Sequence, residues 1–268
     1  MNPNWLGIIS AILAFVAFLA TYRATTGIPR KKRIIFAMLA LVAALPGASF
    51  AIFYTQILPE SAWYYQFRSI PGIELLLVFL GVAGGLVATF LPRMLLGFPL
   101  FAMAAFSIVP FIKPFVGPIP DGKLRDEWDG EVCLQSTSST CGAASTATIL
   151  KQLGTDATES EIAAEAHSYS GGTEAWYLAR AARSRGFDVD FVFTSGFTPE
   201  VGLPAVVGVR LGSIGHFIPI LGHDGDRFIV GDPLRGRESL SREELNRRYQ
   251  FTGFHMRIQK GEDVSLVP

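Results

Sequence analysis

Charge is scarce in this chain: Lys, Arg, Asp and Glu make up 17% of 268 residues, half the residues are hydrophobic, and mean hydropathy is +0.35. Soluble domains carry roughly 25% charged residues, so an ordinary soluble domain of this length is excluded. Cysteine is scarcer still. Cys133 and Cys141 are the only two, too few for a disulfide-stapled scaffold. With the four histidines they show no compact ligand spacing, so no metal is expected and no cofactor is implied. There is no internal repeat or low-complexity tract to suggest a solenoid. A G-x-x-x-x-G-K-[ST] phosphate loop is also missing.

What is abundant is apolar sequence, and it is concentrated at the N-terminus. Trp5 to Tyr22, Ile34 to Tyr54, Ile73 to Leu91 and Met94 to Ile112 are runs near the roughly 20 residues a helix needs to cross a bilayer. Four spans are expected, although Pro99 and Pro110 interrupt the last. Residues 1–116 hold 8 of the 23 basic and 2 of the 23 acidic residues, so a total of zero conceals halves of +6 and −6. The basic cluster Arg30-Lys31-Lys32-Arg33 follows the first run, and the first ten residues contain no Lys or Arg. Cytoplasmic loops carry the Lys/Arg excess, so the N-terminus is expected outside, and an even number of spans returns the chain outside. The expected location is integral to a bacterial inner or plasma membrane, with the soluble half on the periplasmic or extracellular side. The lipid bilayer is one partner; nucleic acid is not, because no basic track is present. Arg180, Arg183 and Arg185 fit a solvated helix face. Trp5, Trp63, Tyr64 and Tyr65, near span ends, read as interfacial anchors.

The boundaries expected are a transmembrane region over 1–116, a Gly/Pro-rich linker over 117–130 and one domain over 131–268. Thr140 can cap a helix from Cys141 to Leu153 rich in small residues. Thr158 with Glu161 forms a capping box for a second helix. Thr173 begins a third, with Ala175, Leu178, Ala179 and Ala182 on one face and Gly186 after it. Strands follow at Phe187 to Phe193, Ala205 to Arg210, His216 to Leu221 and Arg227 to Val230. Ser241 with Glu244 caps a last helix before a strand near Phe254 to Ile258. Helices first and an antiparallel sheet after them make an α+β domain.

Four residues on those elements carry chemistry. Cys141 opens the buried helix, where unpaired N–H groups and the positive dipole end favour a thiolate over a thiol. His216 begins one strand and Asp232 closes the next, across the Asp224-Gly225 turn, so imidazole and carboxylate meet near one end of the sheet. Gln135 precedes the nucleophile by one loop, close enough for its amide to hold the same oxyanion as the N–H of Cys141. His167, His223 and His255 read as structural or solvated, and Asp224 suits a turn better than a triad.

These residues resemble the bacteriocin-processing cysteine peptidases, papain-like enzymes that remove double-glycine leaders. The resemblance covers about residues 131–259. It rests on Gln135-Ser136-Thr137-Ser138-Ser139-Thr140-Cys141-Gly142-Ala143-Ala144, on Gly171-Gly172-Thr173, on Gly215-His216-Phe217-Ile218 and on Val230-Gly231-Asp232-Pro233. It implies a papain-like peptidase domain with Cys141 as nucleophile, His216 as base, Asp232 as its orienter and Gln135 as oxyanion donor. Thr140 stands where the family usually carries an acidic residue, and the ATP-driven exporter to which many members are fused has no counterpart in these residues.

The function expected is that of a membrane-anchored cysteine endopeptidase acting on a peptide or protein. The double-glycine specificity and any secretion or export partner are left open. Two alternatives stand beside it: a catalytically silent peptide-binding domain of the same fold, and another papain-like acyl transfer such as transglutamination or cell-wall amide cleavage. Cys133 has two readings, a buried packing residue or a reversible disulfide partner of Cys141.

Overall fold

The computed structural model describes residues 3–57, 59–120 and 122–261. The chain divides into two units, one built from Pro3–Pro59 and Pro71–Val116, the other from Glu60–Ile70 together with the chain from Gly117 onward. In chain order the N-terminal helices are α1 (Trp5–Thr25), α2 (Arg30–Ile52), α3 (Ala62–Arg68), α4 (Leu77–Ala88), α5 (Gly97–Ile108) and the short α6 (Lys113–Val116). All but α3 belong to the first unit.

In that first unit, α1 packs closely on α4 because glycines remove the obstructing side chains. A Cβ at Gly81 would lie 1.9 Å from the carbonyl oxygen of Ala14, and one at Gly85 2.5 Å from that of Phe18, the small-residue contact by which apolar helices approach one another. The side chain of Asn4 caps α1 by accepting from the N–H of Gly7 at 2.8 Å and donates to buried Glu74 at 3.0 Å. Two helices, Trp5–Thr25 and Arg30–Thr55, are long and apolar enough to cross a membrane, or up to three if α3 and the helix after it count as one broken span. The third and fourth expected runs are shorter as helices. The third starts as a single 3₁₀ turn, Ile73–Leu76, and continues as 12 residues of α4; α5 is also 12 residues long and ends before Pro110, whose ring cannot continue a helix.

The second unit is α+β. A small hairpin of β1 (Trp128–Asp129) and β2 (Val132–Cys133) leads into α7 (Cys141–Gln152), α8 (Glu159–Glu165) and α9 (Ala175–Arg183). Then come β3 (Phe187–Phe193), β4 (Ala205–Leu211), β5 (Ile214–Asp224), β6 (Arg227–Asp232), β7 (Gly236–Ser241), α10 (Arg242–Arg248) and β8 (Gln250–Lys260). The six strands β3 to β8 form one antiparallel sheet in the order β3-β8-β4-β5-β6-β7. Both expected capping boxes are present, at α8 and α10. Thr140 precedes α7 without capping it. Its hydroxyl bonds back to the carbonyl of Thr137 at 3.1 Å instead, which leaves the first-turn N–H groups of α7 uncovered.

Helix α7 is buried over ten of its twelve residues. Gly142 lets it close on Leu178 and Phe217, and the hydroxyl of Ser145 donates to the carbonyl of Phe217 at 3.0 Å. Thr146 and Thr148 satisfy their buried hydroxyls on carbonyls one turn back, both at 2.9 Å, so a polar sequence can sit in a core. Strand β8 bulges where it crosses β4: Val207 pairs with His255 but Val209 with Phe251. Gly253, at φ +83°, takes up the bend, since a Cβ there would fall 1.8 Å from the carbonyl oxygen of Thr194.

The structure corrects two expectations about the segment 60–70 and its neighbours. Tyr64 and Tyr65 are buried rather than interfacial, while Trp63 stays 70% exposed. Tyr65 sits among Trp176, Phe191, Phe193 and Phe254 with ring centroids 5.3 to 5.6 Å away. Two of the three arginines of α9 and the turn after it are clamps, not a solvated face. Arg180 donates to the carbonyl of Arg68 at 2.7 Å, and Arg183 donates to the hydroxyl of Ser69 at 2.5 Å and to the carbonyl of Val189 at 2.6 Å. Arg185 pairs with Glu165. Arg68, 1% exposed, stacks its guanidinium 4.5 Å from the centre of the Trp176 ring.

Candidate active site

Cys141 stands at the first residue of α7, and the Ser145 to Phe217 bond fixes that helix beside β5 one residue from His216. The imidazole Nε2 lies 3.1 Å from Oδ1 of Asp232, which leaves Nδ1 for the thiol; Cys141 is the second hydrogen-bond partner of His216. All three side chains are buried, Asp232 completely. Burial alone would lower the histidine's pKa. The hydrogen bonds to Asp232 and Cys141, and their charges, outweigh it and raise the value to about 9, so the ring carries its proton at neutral pH.

Asp232 is anchored on both oxygens. Oδ1 also accepts from the N–H of Leu234 at 2.9 Å, and Oδ2 accepts from the hydroxyl of Tyr249 at 2.8 Å. Burial works against the carboxylate, yet the bonds from His216, Leu234 and Tyr249 prevail and hold its pKa below the ordinary range. Tyr249, at the end of α10, was not legible as part of the site. It follows an Arg-Arg pair and belongs to no motif, and only the fold brings it to Asp232.

Gln135 is pinned by its backbone, whose N–H donates to the carbonyl of Pro233 at 3.0 Å, next to Asp232. One hydrogen of its amide is given to the carbonyl of Thr137 at 2.7 Å, and the second is the one an oxyanion would need. The loop is held from below by Glu159, a fully buried carboxylate that accepts from both the N–H of Ser136, at 2.7 Å, and its hydroxyl. Nothing in the sequence singled out Glu159, which belongs to no motif.

Cys133 is free and completely buried, as Cys141 is free. Its N–H donates to Thr148 at 2.9 Å, and burial, with the nearby charges of Glu159 and Asp126, pushes its thiol up to about 12. That fits the packing reading of Cys133 better than the disulfide reading. His255 bonds its Nδ1 to the carbonyl of Gly253 at 3.0 Å and is held below the ordinary histidine range by burial. His167, at φ +52°, packs its ring against Tyr177 just after α8.

Cys141 and His216 open onto a cleft of about 930 Å³. One wall is the 169–174 turn, tied to the loop before Cys141 by the hydroxyl of Ser139 donating to the carbonyl of Ser170 at 2.5 Å. Another is the end of the β4–β5 hairpin, and a third is the bulged part of β8.

A family model described as the peptidase C39 family matches residues 129–263. An uncharacterized protein of Methanothermobacter thermautotrophicus is 33% identical over 47% of this chain and 85% of its own length. One from Methanothermobacter marburgensis is 30% identical over 50% of this chain and 92% of its own length. Among solved structures, a double glycine motif protease from an AMS/PCAT transporter, in complex with the leader peptide, aligns with 54% of this chain and 98% of its own, at 21% identity and a TM-score of 0.41.

Proposed function

Because the chain belongs to the peptidase C39 family, we propose that it is a membrane-anchored cysteine endopeptidase that cleaves a peptide or protein through Cys141, His216, Asp232 and Gln135. The observation that carries this reading is the buried line from Cys141 through His216 to the doubly anchored Asp232.

With the imidazole protonated, the thiolate of Cys141 attacks the scissile carbonyl carbon. The oxyanion takes hydrogen bonds from the N–H of Cys141, which has no acceptor within its own helix, and from the free hydrogen of the Gln135 amide. His216 gives its proton to the leaving amine, and a thioester remains on Cys141. A water then loses its proton to His216 and attacks the thioester, which releases the new carboxylate and restores the ion pair. Asp232 stays ionised throughout and keeps Nδ1 aimed at the sulfur.

Anchoring is supported by α1 and by Arg30–Thr55, each apolar and long enough to span. Residues 60–70 and the chain from Gly117 belong to one compact unit, so they lie on one side of any membrane. The 71–116 segment then crosses an even number of times. Either α4 and α5 make a pair of spans, as four spans require, or neither crosses. With Arg30-Lys31-Lys32-Arg33 on the cytoplasmic side, the peptidase unit is on the outer face.

The test is digestion of a mixed peptide library by the detergent-purified full chain, read by mass spectrometry. Cleavage at defined bonds, abolished in Cys141→Ala together with labelling by iodoacetamide, is the expected result. Retained cleavage in that variant would refute the mechanism, and acyl transfer to added amines without hydrolysis would replace it with a transferase.

A further inference from the structure

Segment 60–70 lies in the chain among the N-terminal helices, yet it folds as part of the peptidase unit. It is held there by burial of Tyr65 and Arg68 and by the clamps from Arg180 and Arg183. Two of its residues, Glu60 and Tyr65, line the same cleft as Cys141 and His216. The hydroxyl of Tyr65 donates to Oε1 of Glu60 at 3.1 Å. Burial first, then the negative charges of Glu60 and Glu174, raise the phenol's pKa strongly, so it remains a donor and keeps Glu60 in place. Glu174, at the start of α9, lines the cleft too, and among the described residues the lining includes a single arginine, Arg210, which pairs on β4 with Gly215. Among the described lining residues the carboxylates are Glu60, from the inserted segment, and Glu174.

We propose that segment 60–70 is a wall of the substrate cleft and that Glu60, positioned by Tyr65, selects peptides with a cationic side chain at that wall. The proposal rests on the peptidase reading of the cleft and names a specificity determinant for it. A carboxylate at the cleft rim favours a Lys or Arg side chain by direct charge pairing and disfavours an acidic one.

The first arm of the test needs no substrate. Cys141 in the full chain is modified with 2-(trimethylammonium)ethyl and 2-sulfonatoethyl methanethiosulfonate, with Cys141→Ala as the blank, and the ratio of cationic to anionic rates is taken. A negative wall predicts that Glu60→Gln lowers this ratio by roughly threefold or more and that Glu60→Lys lowers it further. Tyr65→Phe, which keeps the buried ring, should give an intermediate ratio at an unchanged melting temperature. A ratio indifferent to Glu60 overturns the proposal. In the second arm, peptide pairs differing by Lys against norleucine at one position at a time are offered to wild type and Glu60→Gln. A KM advantage for Lys at one position, lost in Glu60→Gln with kcat unchanged, is expected, and equal KM values for every pair in wild type would overturn it. Should the rate ratio fall while no peptide is cleaved, the peptidase reading fails and the charged wall stands.

Discussion

His216 is the residue on which pH acts. Its proton is retained up to about pH 9 because Asp232 and Cys141 bond to the ring, and the thiolate–imidazolium pair needs that proton. The profile of kcat/KM should therefore hold through neutrality and fall as pH rises through about 9, and the limb should move to lower pH in Asp232→Asn. A limb that stays in place would remove Asp232 from control of the ring. The same shift contributes stability that is complete below about pH 6.5, the ordinary histidine value, and is lost as pH rises through the folded value. In the proposed mechanism the Gln135 amide is one of two oxyanion donors, so Gln135→Ala should reduce kcat by roughly 100- to 1,000-fold with little change in melting temperature. An unchanged kcat would take Gln135 out of the site. The approach of Cys141, His216 and Asp232 to one another was the most legible feature of the sequence. Cys-Gly at a helix start, His after Gly, and Asp before Pro each mark a place in the chain as well as a chemical group. Tyr249 and Glu159 escaped because their roles lie in partners 17 and 23 positions away, and no local pattern records such a pairing.

Among the elements, helix starts and the central strands were readable because capping boxes and alternating apolar runs are local signals. Strand β7 was not. Its sequence Gly-Arg-Glu-Ser-Leu-Ser is polar, as suits an edge strand that pairs on one side only. Helix α3 was misread for a physical reason, since Trp and Tyr clustered near the end of a membrane span look the same in sequence whether they meet lipid headgroups or a protein core. The bulge of β8 is the element feature most exposed to test. Gly253→Ala puts a methyl group against the carbonyl of Thr194 at a positive φ, and should cost on the order of 3 kcal/mol in urea unfolding. It should also slow cleavage, because Phe251, Thr252 and Phe254 on either side line the cleft. A neutral result would mean that the bulge can relocate.

For the whole molecule, the proposed placement of the peptidase unit outside a membrane is the point to test. A C-terminal alkaline phosphatase fusion should be active and a green fluorescent fusion dark if the unit is outside. The reverse pattern would place it in the cytosol. Hydropathy located the region that holds the long apolar helices but overstated their number, because a run of apolar residues records composition and not where 3₁₀ turns and prolines end a helix.

The sheet order has a consequence for the timing of synthesis. Strand β8, the last element of the unit among the described residues, lies between the edge strand β3 and β4. Until the ribosome has delivered residues 250–260, β3 has no neighbour and β4 is open along one edge. The bed for Tyr65 lacks Phe254, and the cleft lacks the wall formed by Phe251 and Thr252. Cys141 emerges more than a hundred residues earlier, but its cleft cannot close around a substrate until translation has passed β8. In the order of synthesis, residues 250–260 are therefore what completes both the sheet and the lining of the cleft.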